Sequence, residues 1–445
     1  MVEDGYKEDI PLNRRARSSE KPREHVSMKE LFAFRVQERL ADGSPLLYSR
    51  RLFQQFLVDA YSMIESSRLM YIHLDQNKFR CEMYKGLAEA VLRGETTPSS
   101  RKKRIILPSS FTGGSRYIIQ NYQDAMSICR VVGYPDLFLT FTCNPKWPEL
   151  EDFLKNRELN AEDRPDVVCR VFKVKLDHLI QDIRKKRIFR RVTAVVYTIE
   201  FQKRGLPHAH ILVFIHRDDK YLTPEDIDKI ICAEIPDKDV NLTYYEAVEK
   251  HMMHGPCGTI KRDSPCMKNG KCIRHFPKRF VDSTRVDEDG YPVYRRREDG
   301  KTIIKSGIED NRYVVPQNRT LLLRYGTHIN VKWCNQSRSI KCLFKYVNKG
   351  NDRVTTSFYS SANTDAENDE CNEVCMYYDC RYISPCEAVW RIFGYNIHYR
   401  DPSVIHLGFH LSGEQPVVFQ DHEILRDVAR KAPVKESMFL GWFEL

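Results

Sequence analysis

Two histidines, His208 and His210, stand two residues apart in GLPHAHILVF, and the apolar run that follows them reads as a strand. Side chains alternate along a strand with period two, so both imidazoles point to one face and could grip a divalent cation. Just upstream, TIEFQ places Glu200 and Gln202 on one face of a preceding strand, joined to the histidines by the short turn KRGLP. A hairpin would set those oxygens beside the two nitrogens. Two histidines plus one carboxylate or amide leave positions open for a substrate oxygen, which suits Mg or Mn polarising a phosphate. The competing reading of a lone His-x-His is a pair hydrogen-bonded within a sheet.

A nucleophile candidate lies further on. Ser337 to Lys349 reads as a helix with Ile340, Leu343, Phe344 and Val347 apolar. On it Cys342 and Tyr346 are one turn apart, and Lys345 and Lys349 follow them by three residues each. A phenol ionises near pH 10, so Tyr346 as nucleophile needs the positive charge that Lys349, Lys345 or a bound metal would supply. A tyrosine ring packed as a helix anchor is the alternative.

Between these segments, HMMHGPCGTIKRDSPCMKNGKCIRHFPK offers His251, His254, Cys257, Cys266, Cys272 and His275. The spacing C-x8-C-x5-C-x2-H, Cys257 to His275, could give four ligands to a structural zinc and staple a loop too polar to fold alone. The alternative is free thiols in a small core.

The elements that must position these groups follow from the pattern. Helical spacing runs from Leu47 to Ile72 and is expected to continue to about Gly94, ahead of a Thr-Thr-Pro-Ser-Ser break. From Ile105 onward short β-branched runs alternate with helices: Ser115 to Val132, strand Asp136 to Thr142, helix Pro165 to Lys186, then the two strands around His208. This order predicts an α+β fold, a sheet with helices on one face, plus an N-terminal helical region and a Cys/His-rich insertion. Four segments are expected: a flexible tail over 1–45 with a helix at Met28 to Ala41, a helical region over 46–104, the main domain over 105–350 with the insertion at 250–280, and an acidic loop with a C-terminal α/β extension over 351–445.

Composition narrows the partners. The 445 residues are 42% hydrophobic, enough for real cores, and Lys plus Arg exceed Asp plus Glu by ten. The excess is clustered, in RKKR, RKKRIFRR and RRR (Arg295, Arg296, Arg297), which favours a polyanionic partner such as nucleic acid; the alternative for each run is a solvated helix face or loop. Tyr291 and Tyr294 beside those arginines, with Lys278 and Arg279 nearby, could add stacking and charge for single-stranded DNA, and Trp147 and Trp333 could wall the site. No run of about 18 apolar residues and no secretory leader is present, so an intracellular protein without a membrane partner is expected. Its 14 cysteines then read as core residues or metal ligands.

The order FLTFTCNPKWPEL, TIEFQKRGLPHAHILVF and IKCLFKYVNKG resembles the three motifs of the HUH rolling-circle replication initiators. The wider chain resembles the N-terminal helicase-like domain of Helitron transposases, through LYSRRLFQQFLVDAY, LPSSFTGGSRYI, HGPCG, DGYPVYRRR, VVPQN, THINVKWCN and DCRYISPCEAVWRIFGYNIH in the same order. The resemblance implies an HUH-type antiparallel sheet with flanking helices, which nicks and joins single-stranded DNA through a 5′-phosphotyrosine at a Mg or Mn site, in the nucleus. His208 and His210 fall on the paired histidines, Glu200 on the carboxylate ligand with Gln202 as competitor, and Tyr346 on the second of two tyrosines. Cys342 occupies the first tyrosine slot, and Gln317 stands where the family usually has tyrosine. The Cys342 departure leaves open a catalytically impaired, DNA-binding remnant of a transposon. GKT at Gly300 to Thr302 lacks the glycine of a phosphate loop, since Arg295 sits in its place. No ATPase or helicase activity is expected from this chain, so unwinding would fall to a separate helicase. Oligomeric state is not specified by any of these features.

Overall fold

A computed structural model describes residues 25–39, 44–76, 81–83, 105–201, 205–258, 261–288, 290–304, 308–334, 373–378, 382–405, 416–418 and 426–427. The chain divides into two compact units, one of residues 1–61, 125–347 and 383–402, the other of 62–124, 348–382 and 403–445. Each draws on discontinuous segments of the chain.

The first unit is built on a five-stranded, wholly antiparallel sheet. Its strands are β1 (Leu137–Thr142), β2 (Val192–Phe201), β3 (Pro207–Ile215), β4 (Ile329–Trp333) and β5 (His398–Asp401), in the spatial order β4-β1-β3-β2-β5. The α+β expectation therefore holds.

Period-two alternation gives the sheet two different faces. Leu137, Leu139 and Phe141 on β1 align with Val213, Ile211 and Ala209 on β3, and these with Val195, Tyr197 and Ile199 on β2; all are buried. Helices α1 (Pro148–Lys155), α2 (Pro165–Lys185) and α3 (Leu242–His251) follow in the chain, then α4 (Arg319–Tyr325) and α5 (Pro385–Ile392). Phe172 of α2 stacks on Phe141 at 5.2 Å between centroids and meets Trp390 of α5 at 6.1 Å, so α2 and α5 cover the apolar face. The helix α2 starts with Pro165 in its first turn, where a missing N–H costs nothing, and buries Val168, Phe172, Leu176, Leu179 and Ile183 at helical spacing. Each such fully buried side chain contributes about 1.5–3 kcal/mol.

Both ends of the sheet are held in register by specific hydrogen bonds. At one end the Asp136 carboxylate accepts from the Ile215 N–H (2.8 Å) and from Lys220 Nζ (2.9 Å), while its carbonyl accepts from Cys334 N (2.7 Å). At the other, Asn318 caps α4 by accepting from Leu321 N, and Gly326 ends the helix in the left-handed region (φ 52°) that a side chain would resist. The chain leaving Gly326 is then bound to β1: Asn144 Nδ2 donates to the Gly326 carbonyl (2.8 Å) and Thr142 N to the His328 carbonyl (3.2 Å).

The second unit has its own small core of Leu69, Ile72, Leu107, Phe111, Val374 and Tyr377. The helix expected from Leu47 is observed as Arg51–Leu74, but the expected continuation to Gly94 is not: Cys81–Met83 is a strand paired with Pro416–Val418. The helix expected at Met28 to Ala41 is observed as Met28–Arg35, opened by a capping box between Ser27 and Glu30. Among the described residues no helix is long and apolar enough to cross a membrane.

Candidate functional site

The face of the sheet opposite α2 carries polar residues in two rows. In one, His328, which pairs with Thr142 across the edge, is followed by Thr142 on β1, His208 on β3 and Glu200 on β2. In the next, Asn330, Thr140, His210, Thr198 and His398 lie side by side across all five strands. Directly opposed residues of antiparallel strands point to the same side, so these nine form one continuous patch.

His210 sits at its centre. Its Nε2 lies 2.9 Å from Glu200 Oε2, its Nδ1 lies 3.5 Å from Thr140 Oγ1, and its ring stacks on Phe138 at 5.7 Å. His208 and His210 are both buried, and His208 Nδ1 has no hydrogen-bond partner among the described residues. Asn330 Oδ1 is orphaned in the same way. An unmet buried polar atom costs about 1–3 kcal/mol, so two on one face mark a place suited to a further ligand. Burial pulls the His208 pKa down to about 4, with His210 and His328 adding to the effect and Glu200 opposing it. The ring is neutral at pH 7, as a metal ligand must be.

This hairpin is the one expected from sequence, and it brings Glu200, His208 and His210 together. Gln202, the competing ligand, lies outside the described residues, as do Cys342, Lys345, Tyr346 and Lys349. Thr140, Thr142, His328 and Asn330 were missed. Their signal is present: FLTFT and THIN carry polar residues at period two, in register with His-x-His.

The Cys/His insertion forms a second constellation. Ligand atoms of His254, Cys257, Cys266 and Cys272 all lie within 4.8 Å of one another, and Cys272 Sγ is 3.4 Å from His254 Nε2. Tetrahedral zinc with bonds of about 2.3 Å to sulfur sets its ligands about 3.8 Å apart, so the cluster fits such an ion and could hold a metal such as zinc. Its chemistry fits as well. Burial would raise the Cys272 thiol, but the Phe276 and Arg274 N–H groups and the thiols of Cys266 and Cys257 bring it below its ordinary value. Burial, with Arg274 and Lys278, keeps His254 neutral.

The fourth member is His254, in place of the expected His275. His275 is exposed at a left-handed turn (φ 56°), its N–H spent on the Cys272 carbonyl (2.9 Å). His254 is instead held by Tyr313, whose carbonyl accepts its N–H (2.9 Å), and by Phe276, which stacks on its ring at 4.0 Å.

Of the arginines expected to bind DNA, Arg296 is used internally, whereas Arg295 is half-buried and Arg297 exposed, both paired with carboxylates. Arg296 is 4% exposed, and its Nη1 donates to the carbonyls of Ala233 (3.1 Å), Asn311 (2.6 Å) and Val314 (2.7 Å), so no phosphate can reach it. Burial lowers its pKa to about 10. Arg297 forks onto Glu234 at 2.9 and 2.7 Å, and Arg295 meets Asp228 and Glu234 at 3.4 Å. Tyr294 is buried with its hydroxyl accepting from Trp333 N (2.8 Å), and Trp147 and Trp333 are core residues rather than site walls. Gln317 is buried, with its amide donating to the Tyr244 hydroxyl.

Residues 31–213 match the family model of the Helitron helicase-like domain at the N-terminus. The chain carries a Helitron helicase-like domain. Its match takes in β1, β2 and nearly all of β3, hence Glu200, His208 and His210, and ties the chain to a transposon-related function. The Cys/His cluster, His328 and Tyr346 lie beyond the matched part of the helicase-like domain. No curated protein matches the chain.

Proposed function

We infer that the polar sheet face is an HUH-type site that nicks and joins single-stranded DNA in rolling-circle transposition. The observation that carries the reading is the Glu200 to His210 contact at 2.9 Å beside His208, whose buried Nδ1 is unmet among the described residues. Glu200, His208 and His210 would hold Mg or Mn, with Gln202 as a further donor, and the ion would polarise a phosphate oxygen. In this scheme the Tyr346 oxygen attacks the phosphorus, forming a 5′-phosphotyrosine as the bond to the 3′ oxygen breaks and that oxygen takes up a proton. Lys345 and Lys349 favour the ionised phenol by their charge. The protein would act in the nucleus.

Incubating the protein with Mn and a labelled single-stranded oligonucleotide should leave a covalent adduct that is lost in Tyr346→Phe and in His208→Ala. If no divalent metal yields an adduct, the nicking reading fails. The Cys342 substitution supports a second reading, a remnant that binds DNA without turnover. Salt-sensitive binding that His208→Ala leaves unchanged, with no adduct, would select it.

A further inference from the structure

We propose that the loop closed by the Cys/His cluster is the strand clamp of the polar face, with Arg274 and Lys278 holding a backbone phosphate of single-stranded DNA beside His328. The proposal rests on the single-stranded DNA reading of that face. Over residues 261–280 the loop has seven Lys or Arg against one acidic residue, Asp263. None of the seven forms an ion pair with a carboxylate among the described residues, whereas Arg295 and Arg297 in the neighbouring hairpin are both paired.

The backbone carries this loop to the sheet edge. His254 N donates to the Tyr313 carbonyl (2.9 Å), Lys278 N to the Arg312 carbonyl (3.0 Å) and Val315 N to the Met252 carbonyl (2.7 Å). One residue further on, the Pro316 carbonyl accepts from Val331 N of β4 (3.0 Å). Both ends of the loop are therefore tied to the segment that runs along the strand bearing Asn330 and Lys332. His328, which precedes that strand, touches Thr142 of the polar row through its Nδ1 (3.5 Å). The charge of Arg274 reaches it: burial first, against a backbone hydrogen bond that raises it, and then Arg274 draw the His328 pKa down to about 4.

Lys278 is half-buried, with Nζ donating to the Arg274 carbonyl (2.9 Å). Burial lowers its pKa, the charges of Arg296 and Lys332 lower it further, and Cys272 opposes them only in part. A half-buried ammonium among other cations is unfavourable unless an anion joins it. A phosphodiester placed there would neutralise Arg274 and Lys278 while its neighbour along the strand lay over His208 and His210. The Cys/His cluster would then hold the cations in place.

The test uses the whole protein, zinc-loaded, with a short oligothymidylate and a salt titration of binding. One phosphate contact contributes about 0.7 to the slope of log affinity against log salt on single strands, roughly fivefold in affinity at 0.1 M salt. Arg274→Gln and Lys278→Gln should each lose about that much, zinc removal at least as much as both together, and Arg297→Gln nothing. Unchanged slopes in Arg274→Gln and Lys278→Gln would overturn the clamp, as would inorganic phosphate competing as well as the oligonucleotide. Adduct formation with Mn separates the two readings. An adduct with unchanged slopes keeps the nicking site and sinks the clamp, whereas Arg274-dependent binding without an adduct keeps the clamp and sinks the nicking site.

Discussion

On the sheet face, Glu200, His208 and His210 meet because two neighbouring strands pair in a register that the apolar face underneath enforces. In the loop, His254, Cys257, Cys266 and Cys272 meet although little apolar surface surrounds them, among exposed lysines and arginines and left-handed turns at Asn269, Gly270 and His275. Slipping a strand by one residue would drive Leu139 and Ile211 out of the core, so the first site stands without an ion. Over 261–280 only Cys272 is buried, so a metal held by the cluster would be the main constraint on the loop's shape. One site is made by the fold, and the other, with an ion bound, would make its part of the fold.

That contrast can be broken first by removing the metal. Structural zinc contributes on the order of 10 kcal/mol to small loops of this kind, so chelation or Cys272→Ser should abolish hydrogen-exchange protection over 254–280. Protection of β1, β2 and β3 should persist, and its loss would show that the sheet leans on the cluster. Next in size, Leu139→Ala should cost about 2–5 kcal/mol in denaturant unfolding, acting on the sheet as a whole.

Acid should sharpen the difference. His208 and His328 have folded pKa values of about 4 against an ordinary 6.5. Above pH 6.5 both states are neutral and stability is level; between 6.5 and 4 the unfolded chain takes up protons the folded one refuses. Stability of the metal-free protein should therefore fall as pH drops through that window, by at most about 1.4 kcal/mol per unit for each histidine, and flatten below pH 4. His328→Asn should remove part of that slope. Smallest of the four, Glu200→Gln should weaken Mn binding by about 10–100-fold in calorimetry, with zinc content unchanged. An equal loss of zinc would mean the two regions are one coupled site.

The sheet site was readable because its chemistry and its scaffold obey one rule. His-x-His and the apolar residues between and after them share period two, as do Thr140 with Thr142 and His328 with Asn330, although the latter pairs signify nothing until the strands are known to be neighbours. Helix α2 was legible for the same reason, its apolar spacing and leading proline agreeing with each other. His254 was not separable from His275, because ligand choice depends on how 313–316 draw the loop back, a contact some sixty residues away in sequence. RRR read as a nucleic-acid patch, but charge runs do not reveal that Glu234 and three carbonyls wait beside them.

The strand order also has a temporal meaning. Glu200, His208 and His210 lie on a tight local hairpin, whereas β1 joins from far upstream and β4, delivering His328 and Asn330, from more than a hundred residues downstream. Local pairings form early and distant ones late, so during synthesis the histidine hairpin is made well before the strand that completes its polar rows. Until β4 arrives, one edge of β1 is open, and the paired histidines on β3 lie between β1 and β2 without His328 and Asn330 beyond them. The chain thus brings Glu200, His208 and His210 together before His328 and Asn330 extend the patch, and if the three hold Mn as proposed, an assay on nascent or C-terminally shortened chains should find Mn binding earlier than single-strand selectivity.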